Sequence, residues 1–175
     1  MRAYKSAAFA LITFTFGTLP AGAQSDPKTV QVTPYVALGS EVASPVGAAV
    51  TFPLTSTLGV ETDVAYRRGE GDIHALSLSA NLLYSLPRVG KSTPYVAAGI
   101  GLSRYGTPIF SSTNRPIATQ PRLAMTVNAG GGLKMPINER VELRTDARWG
   151  KFLGRQSPSE WVRVAQGISF GVGKK

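Results

Sequence analysis

The sequence predicts an all-β protein, an eight-stranded antiparallel up-and-down transmembrane β-barrel, and three observations predict it. Hydrophobicity alternates with period two in eight separate segments, the mark of strands with two unlike faces. The second face of these segments is rich in glycine, alanine and serine, which suits a crowded space such as the lumen of a small barrel. Aromatic residues stand near segment ends on the apolar parity, as two interfacial girdles require. The last segment, Glu160 to Val172, shows the pattern best. Val162, Val164, Ile168, Phe170 and Val172 share one parity with Gln166, while Trp161, Arg163, Ala165, Gly167, Ser169 and Gly171 share the other.

The chain of 175 residues begins with a processing signal. Arg2 and Lys5 form a basic region, Ala7 to Leu19 is an apolar core, and Ala21-Gly22-Ala23 is a small-x-small cleavage site. The core is too short for a membrane anchor, which wants ~18 or more apolar residues. We therefore divide the chain into a signal peptide, 1–23, and an outer-membrane β-barrel domain, 24–175. Loss of Arg2 and Lys5 lowers the formal charge from +9 to +7. There is no cysteine, which excludes disulfides, thiolate metal sites and a lipid-bearing cysteine. No long apolar run follows the signal, so a membrane location requires a closed barrel. Nucleic acid is not an expected partner, because a secreted chain rarely meets it.

The strands are expected in order. Strand one runs from Thr29 to Gly39, with Pro34 marking its start or a bulge because proline lacks a donor. Strand two runs from Val46 to Phe52, strand three from Thr57 to Arg67, and strand four from Ile73 to Ser85. Strand five runs from Thr93 to Arg104. Tyr105 to Pro121, with Pro108, Pro116 and Pro121, is read as the longest irregular stretch. Strand six follows from Arg122 to Met135, strand seven from Val141 to Phe152, and the closing strand from Glu160 to Val172. An even number of strands leaves both termini on one side, and short turns should alternate with longer outer loops.

Phe52, Tyr84 and Phe170 fall near one set of strand ends, and Tyr66 and Trp149 near the other, all with outward parity. Thr33-Pro34-Tyr35-Val36-Ala37 recurs as Thr93-Pro94-Tyr95-Val96-Ala97, four strands on. An old duplication or a shared local need at the foot of a strand explains the repeat equally well. The signal peptide, the Pro-Tyr-Val-Ala segments followed by alternating glycines, Asn128-Ala129-Gly130-Gly131-Gly132-Leu133, the charged strand seven and the aromatic closing strand together resemble the small bacterial outer-membrane β-barrel superfamily, which includes OmpA-type transmembrane domains and opacity-like barrels. The resemblance implies a plugged polar interior, residence in the bacterial outer membrane, and a structural, adhesive or recognition role. It implies as partners outer-membrane lipid and lipopolysaccharide and the barrel insertion machinery; a surface partner is expected through loop 105–121, because long loops on a rigid scaffold commonly carry binding.

No catalytic residue, metal ligand or cofactor is expected. His74 is the sole histidine; Asp72 and Ser77 are near in sequence, but His74 and Ser77 have opposite parity, so no triad forms. The segment also lacks the His-x-Ser arrangement of outer-membrane lipid A deacylases. Inside the barrel, Glu61 and Asp63 on strand three should face Glu142, Arg144, Asp146 and Arg148 on strand seven, with Arg163 alongside. Arg144 is expected to reach Glu61 or Asp63. Arg67, Arg68, Lys151 and Arg155, near the outer strand ends, are candidates for contact with lipid phosphates, whose geometry suits guanidinium groups. Two alternatives remain: a soluble secreted barrel, with the sheet inverted around an apolar ligand, and an outer-membrane lipid-modifying enzyme.

Overall fold

A computed structural model describes residues 29–39, 45–68, 74–110, 116–153 and 160–173. The signal peptide assigned to 1–23 lies outside the described residues. The strands are β1 (Val30–Gly39), β2 (Val46–Pro53), β3 (Leu58–Arg68), β4 (His74–Ser85), β5 (Thr93–Phe110), β6 (Pro116–Pro136), β7 (Val141–Leu153) and β8 (Glu160–Val172). Each pairs antiparallel with the next, and β1 pairs with β8, so the sheet closes into a barrel. Closure leaves no unpaired edge around the ring, which is what allows a sheet to sit in lipid.

Both ends of the described barrel, Val30 and Val172, lie at one rim, called here the terminal end; the other is the distal end. The pairing is sheared. From Gly39 it runs through Arg163, Arg148, Gly130, Ala97, Leu83 and Gly59 to Pro53, which lies level with Thr29, ten residues below the start. A shear of this kind tilts the strands by roughly 40°.

The faces sort by chemistry. Large apolar side chains point out: Leu38, Val64, Leu78, Ile100, Leu123 and Val164 are all exposed. Charged and polar side chains point in: Glu61, Asp63, Asn81, Asn128, Arg144 and Arg148 are all buried. The arrangement overturns the alternative of an inverted sheet around an apolar ligand, since the polar face is the one enclosed.

Two local expectations are corrected. Of the stretch Tyr105 to Pro121 expected to be irregular, Tyr105 to Phe110 and Pro116 to Pro121 are strand, and 111–115 lie outside the described residues. β5 and β6 continue past the ring as a two-stranded extension, with Gly106 opposite Pro121 and Pro108 opposite Thr119, up to a register shift at Ile109/Phe110. β4 leaves β5 at Tyr105, and β7 leaves β6 at Met125, so each extension strand has one side unpaired among the described residues. Proline, lacking an amide proton, is tolerated where no ladder needs that donor. Pro34, for its part, sits within β1 rather than at its start or in a bulge. The ladder to β8 skips Thr33 and Pro34 and resumes in unchanged register at Tyr35. Thr33 Oγ1 and Ser169 Oγ, 2.8 Å apart, bridge the gap.

Candidate functional site

The barrel interior is the most densely built polar region among the described residues. Two tyrosines anchor it. Tyr35 and Tyr95 occupy the same place in the repeated Thr-Pro-Tyr-Val-Ala segments, on β1 and β5. Their neighbours Gly47 on β2 and Gly132 on β6 supply the room: a Cβ on Gly132 would lie 2.6 Å from Tyr95 Oη, and one on Gly47 would lie 2.5 Å from Tyr35 Oη. Each hydroxyl donates to an aspartate, Tyr35 to Asp63 Oδ1 at 3.1 Å and Tyr95 to Asp146 Oδ2 at 2.6 Å. Each also accepts from an arginine at 2.7 Å, Tyr35 from Arg163 Nη1 and Tyr95 from Arg144 Nε. The same guanidinium groups lie 4.8 and 4.9 Å from the ring centroids, within cation–π range.

Between the two halves stands Glu61, which is 0% exposed. Its carboxylate accepts from Arg144 Nη1, from Arg148 Nη2 at 2.6 Å and from Thr51 Oγ1 at 3.0 Å. Asp146 accepts from Arg148 Nε at 2.8 Å and lies 3.7 Å from Arg163 Nη2. Asp63 pairs with Arg163 Nη2 at 3.1 Å. The structure thus brings six of the seven expected interior charges into one cluster and decides the partner of Arg144: Glu61. Glu142 lies apart, toward the terminal end, where it accepts from Gln31 Nε2 at 2.8 Å. Gln31 in turn accepts from Lys134 Nζ at 2.9 Å. The bridging roles of Gln31, Lys134 and the tyrosine hydroxyls were missed by charge parity; the recurring pentapeptide was the signal for the tyrosines.

The cluster divides the lumen. A cavity of about 290 Å³ opens at the terminal end, lined in part by Gln31, Thr51, Lys134 and Glu142. One of about 80 Å³ lies toward the distal end, above Arg148 and Arg163. Only about 10 Å³ is left among Tyr35, Arg144, Asp146 and Arg163. Buried charges of both signs in such contact hold one another by Coulomb attraction and hydrogen bonds. Chemically the arrangement is a polar plug.

Elsewhere the expected site residues separate. Phe52, Tyr66, Tyr84, Trp149 and Phe170 are exposed on the outer wall. Lys151 is exposed and opposite Glu160 on β8. Arg67 is corrected: it has the parity of Glu61 and Asp63 and lines the distal cavity, so it does not face lipid. The side chain of Arg68, and Arg155 altogether, lie outside the described residues. His74 stacks on Tyr66, and its Nδ1 is 2.6 Å from the Tyr66 hydroxyl. Ser77 lines the lumen cavity and bonds Ser103 at 2.6 Å, away from that pair. Asp72 lies outside the described residues. Among the described residues no group of His, Cys, Asp or Glu side chains could hold a metal.

No protein-family model and no curated protein matches the sequence. Solved structures do. The N-terminal β-barrel domain of Pseudomonas aeruginosa OprF is 18% identical with a TM-score of 0.64, and the match covers 83% of this chain and 98% of that one. Neisserial surface protein A is 12% identical with a TM-score of 0.65, covering 84% and 98%. The outer-membrane enzyme PagL is 17% identical with a TM-score of 0.52, covering 81% and 99%. With the closed eight-strand register and the inverted distribution of polar and apolar side chains, these likenesses show that the chain has the fold of the small eight-stranded outer-membrane β-barrels.

Proposed function

We propose that the chain is a non-catalytic protein of the bacterial outer membrane, with a structural or surface-interaction role and an interior closed to bulk conduction. One observation carries the reading: an apolar outer wall, bounded above and below by aromatic residues, encloses a lumen plugged by paired charges. An aqueous environment would hydrate the wrong face of such a sheet, whereas lipid suits it. In this orientation the terminal end meets the periplasm, and the β5–β6 extension stands outside the cell as the place for a surface partner. Loops and extensions on a rigid scaffold are where binding commonly resides. The lipid-modifying enzyme gains nothing from the site: every acidic side chain of the central cluster is held by arginine, and His74 and Ser77 lie on opposite faces.

The first test is heat modifiability. The chain, folded in detergent or vesicles, is expected to run at a different position on a detergent gel unboiled than boiled. A folded species recovered from the periplasm without detergent would count against the reading. The second test is conductance. Eight strands give a lumen that side chains can fill, so planar bilayers should show no stable large openings. Persistent large conductance would mean that the plug is not closed.

A further inference from the structure

Cations are few on the outer wall. On the outward parity of β3, β4 and β5, no carboxylate occurs among the described residues. One arginine does. Arg104 is exposed on β5, flanked in the ladder by Leu76 of β4 and Leu123 of β6, both exposed. It makes no ion pair or hydrogen bond among the described residues. Every arginine of the central cluster is engaged, by contrast, and Lys151 on the far wall has Glu160 opposite it. A guanidinium on an apolar wall, with no anion beside it among the described residues, is costly at membrane depth and tolerable only near the interface.

The register sets the depth of Arg104. Because the ladder climbs from Thr29 to Gly39 in one circuit, each step to a higher-numbered strand rises toward the distal end. Tyr66 of the distal girdle pairs with Leu76, and Leu76 with Arg104. Arg104 therefore stands two steps above the girdle, at the level of lipid headgroups. His74 is two residues farther along β4 than Leu76, toward the same rim, and its ring is stacked on Tyr66. His74 and Arg104 thus occupy adjoining strands at about one level, with Tyr66 below them, over an apolar wall made by Leu78, Ile100 and Leu102.

We infer that Arg104, beside the Tyr66–His74 pair, seats a phosphate group of lipid A in the outer leaflet, with the acyl chains lying down the β4–β5 wall. This rests on the outer-membrane reading above. The guanidinium fork matches phosphate oxygens. The leucines on either side suit a ligand that carries both an anion and hydrocarbon, as a free phosphate does not. Lipid A is the anionic lipid of the leaflet that the distal end faces in the proposed orientation.

The test uses the barrel folded in detergent, with bisphosphorylated lipid A, dephosphorylated lipid A and phosphatidylglycerol as probes, read by native mass spectrometry of retained lipid. Wild type is expected to retain bisphosphorylated lipid A about tenfold better than either other lipid, in line with loss of a charge-assisted contact. Arg104→Leu should erase the preference. The leucine suits a lipid-facing position, so the barrel should still fold. Lys151→Leu should keep the preference. The seat is overturned if Arg104→Leu behaves as wild type, if Lys151→Leu loses as much, or if phosphatidylglycerol or dephosphorylated lipid A binds equally well. A wild-type chain that shows no heat-shifted barrel overturns the outer-membrane reading as well. A heat-shifted barrel that ignores the lipid phosphates overturns the seat alone.

Discussion

Glu61→Ala is expected to destabilise the barrel by about 3–5 kcal/mol, the range for removing one partner of a buried ion pair. The side chain has no exposure, and it is the common acceptor for Arg144 and Arg148 from the opposite side of the lumen. Its loss leaves two buried guanidinium groups with only Asp146 between them. Arg144→Ala should cost a similar amount, because it strips Glu61 of a donor and Tyr95 of another. Reversible urea unfolding in lipid vesicles measures both. The double mutant Glu61→Ala/Arg144→Ala should lose much less than the sum, since the second change removes a group the first had already orphaned. Asp63→Ala with Arg144→Ala should be closer to additive, because Asp63 is held by Arg163 and Tyr35. Losses under about 1 kcal/mol in the single mutants, the scale of exposed pairs, would show that the cluster is hydrated and not structural.

The contrast between Glu61 and Asp63 marks how far the sequence could be read. Period two assigned each strand residue to a face, and so Glu61, Asp63, Arg144, Asp146, Arg148 and Arg163 were legible as interior charges. Parity carries no information about height. Which acid meets which arginine depends on the shear accumulated over the whole ring, and that is a property of eight registers together. Hence Arg144 could be placed against Glu61 or Asp63, but the choice between them, and the displacement of Glu142 to a separate contact with Gln31, had to come from the closed sheet. Arg67 was a lapse of a different kind. Its parity already put it inside with Glu61 and Asp63, and its position near a strand end led it to be grouped with lipid-facing cations. The extension of β5 and β6 was hidden by its three prolines. They read as breakers because sequence does not reveal which amides have a partner beyond the ring. Arg104 was passed over as the end of a strand; its meaning depends on what flanks it, Leu76 and Leu123, and on its height above Tyr66.

The interior glycines give the other large effect, and two of them should behave differently. Gly132→Ala is expected to cost about 3 kcal/mol, the upper part of the range for forcing atoms into a packed site, and to resist rescue. A Cβ at that position meets the backbone oxygen of Thr145 and also lies 2.8 Å from Tyr95 Cζ. Trimming Tyr95 clears one obstacle and leaves the other, because a ladder oxygen cannot move without its strand. Displacing Tyr95 also disturbs its bonds to Asp146 and Arg144, so the damage reaches the plug. Gly150→Ala meets a different neighbour. The nearest atoms to its Cβ all belong to the Trp161 ring, with Nε1 at 2.7 Å. The single change should cost about 1–2 kcal/mol, and Trp161→Ala in the same chain should return most of that loss relative to Trp161→Ala alone. Urea midpoints of the two glycine variants, each with and without the aromatic truncation, decide the matter. Rescue at position 150 and none at 132 is the expected pattern. Equal rescue at both would mean that the β6–β7 backbone yields readily and that the glycines serve the side chains alone; no rescue at either would mean that the ladder itself, and not the tyrosine or tryptophan, sets the demand for glycine.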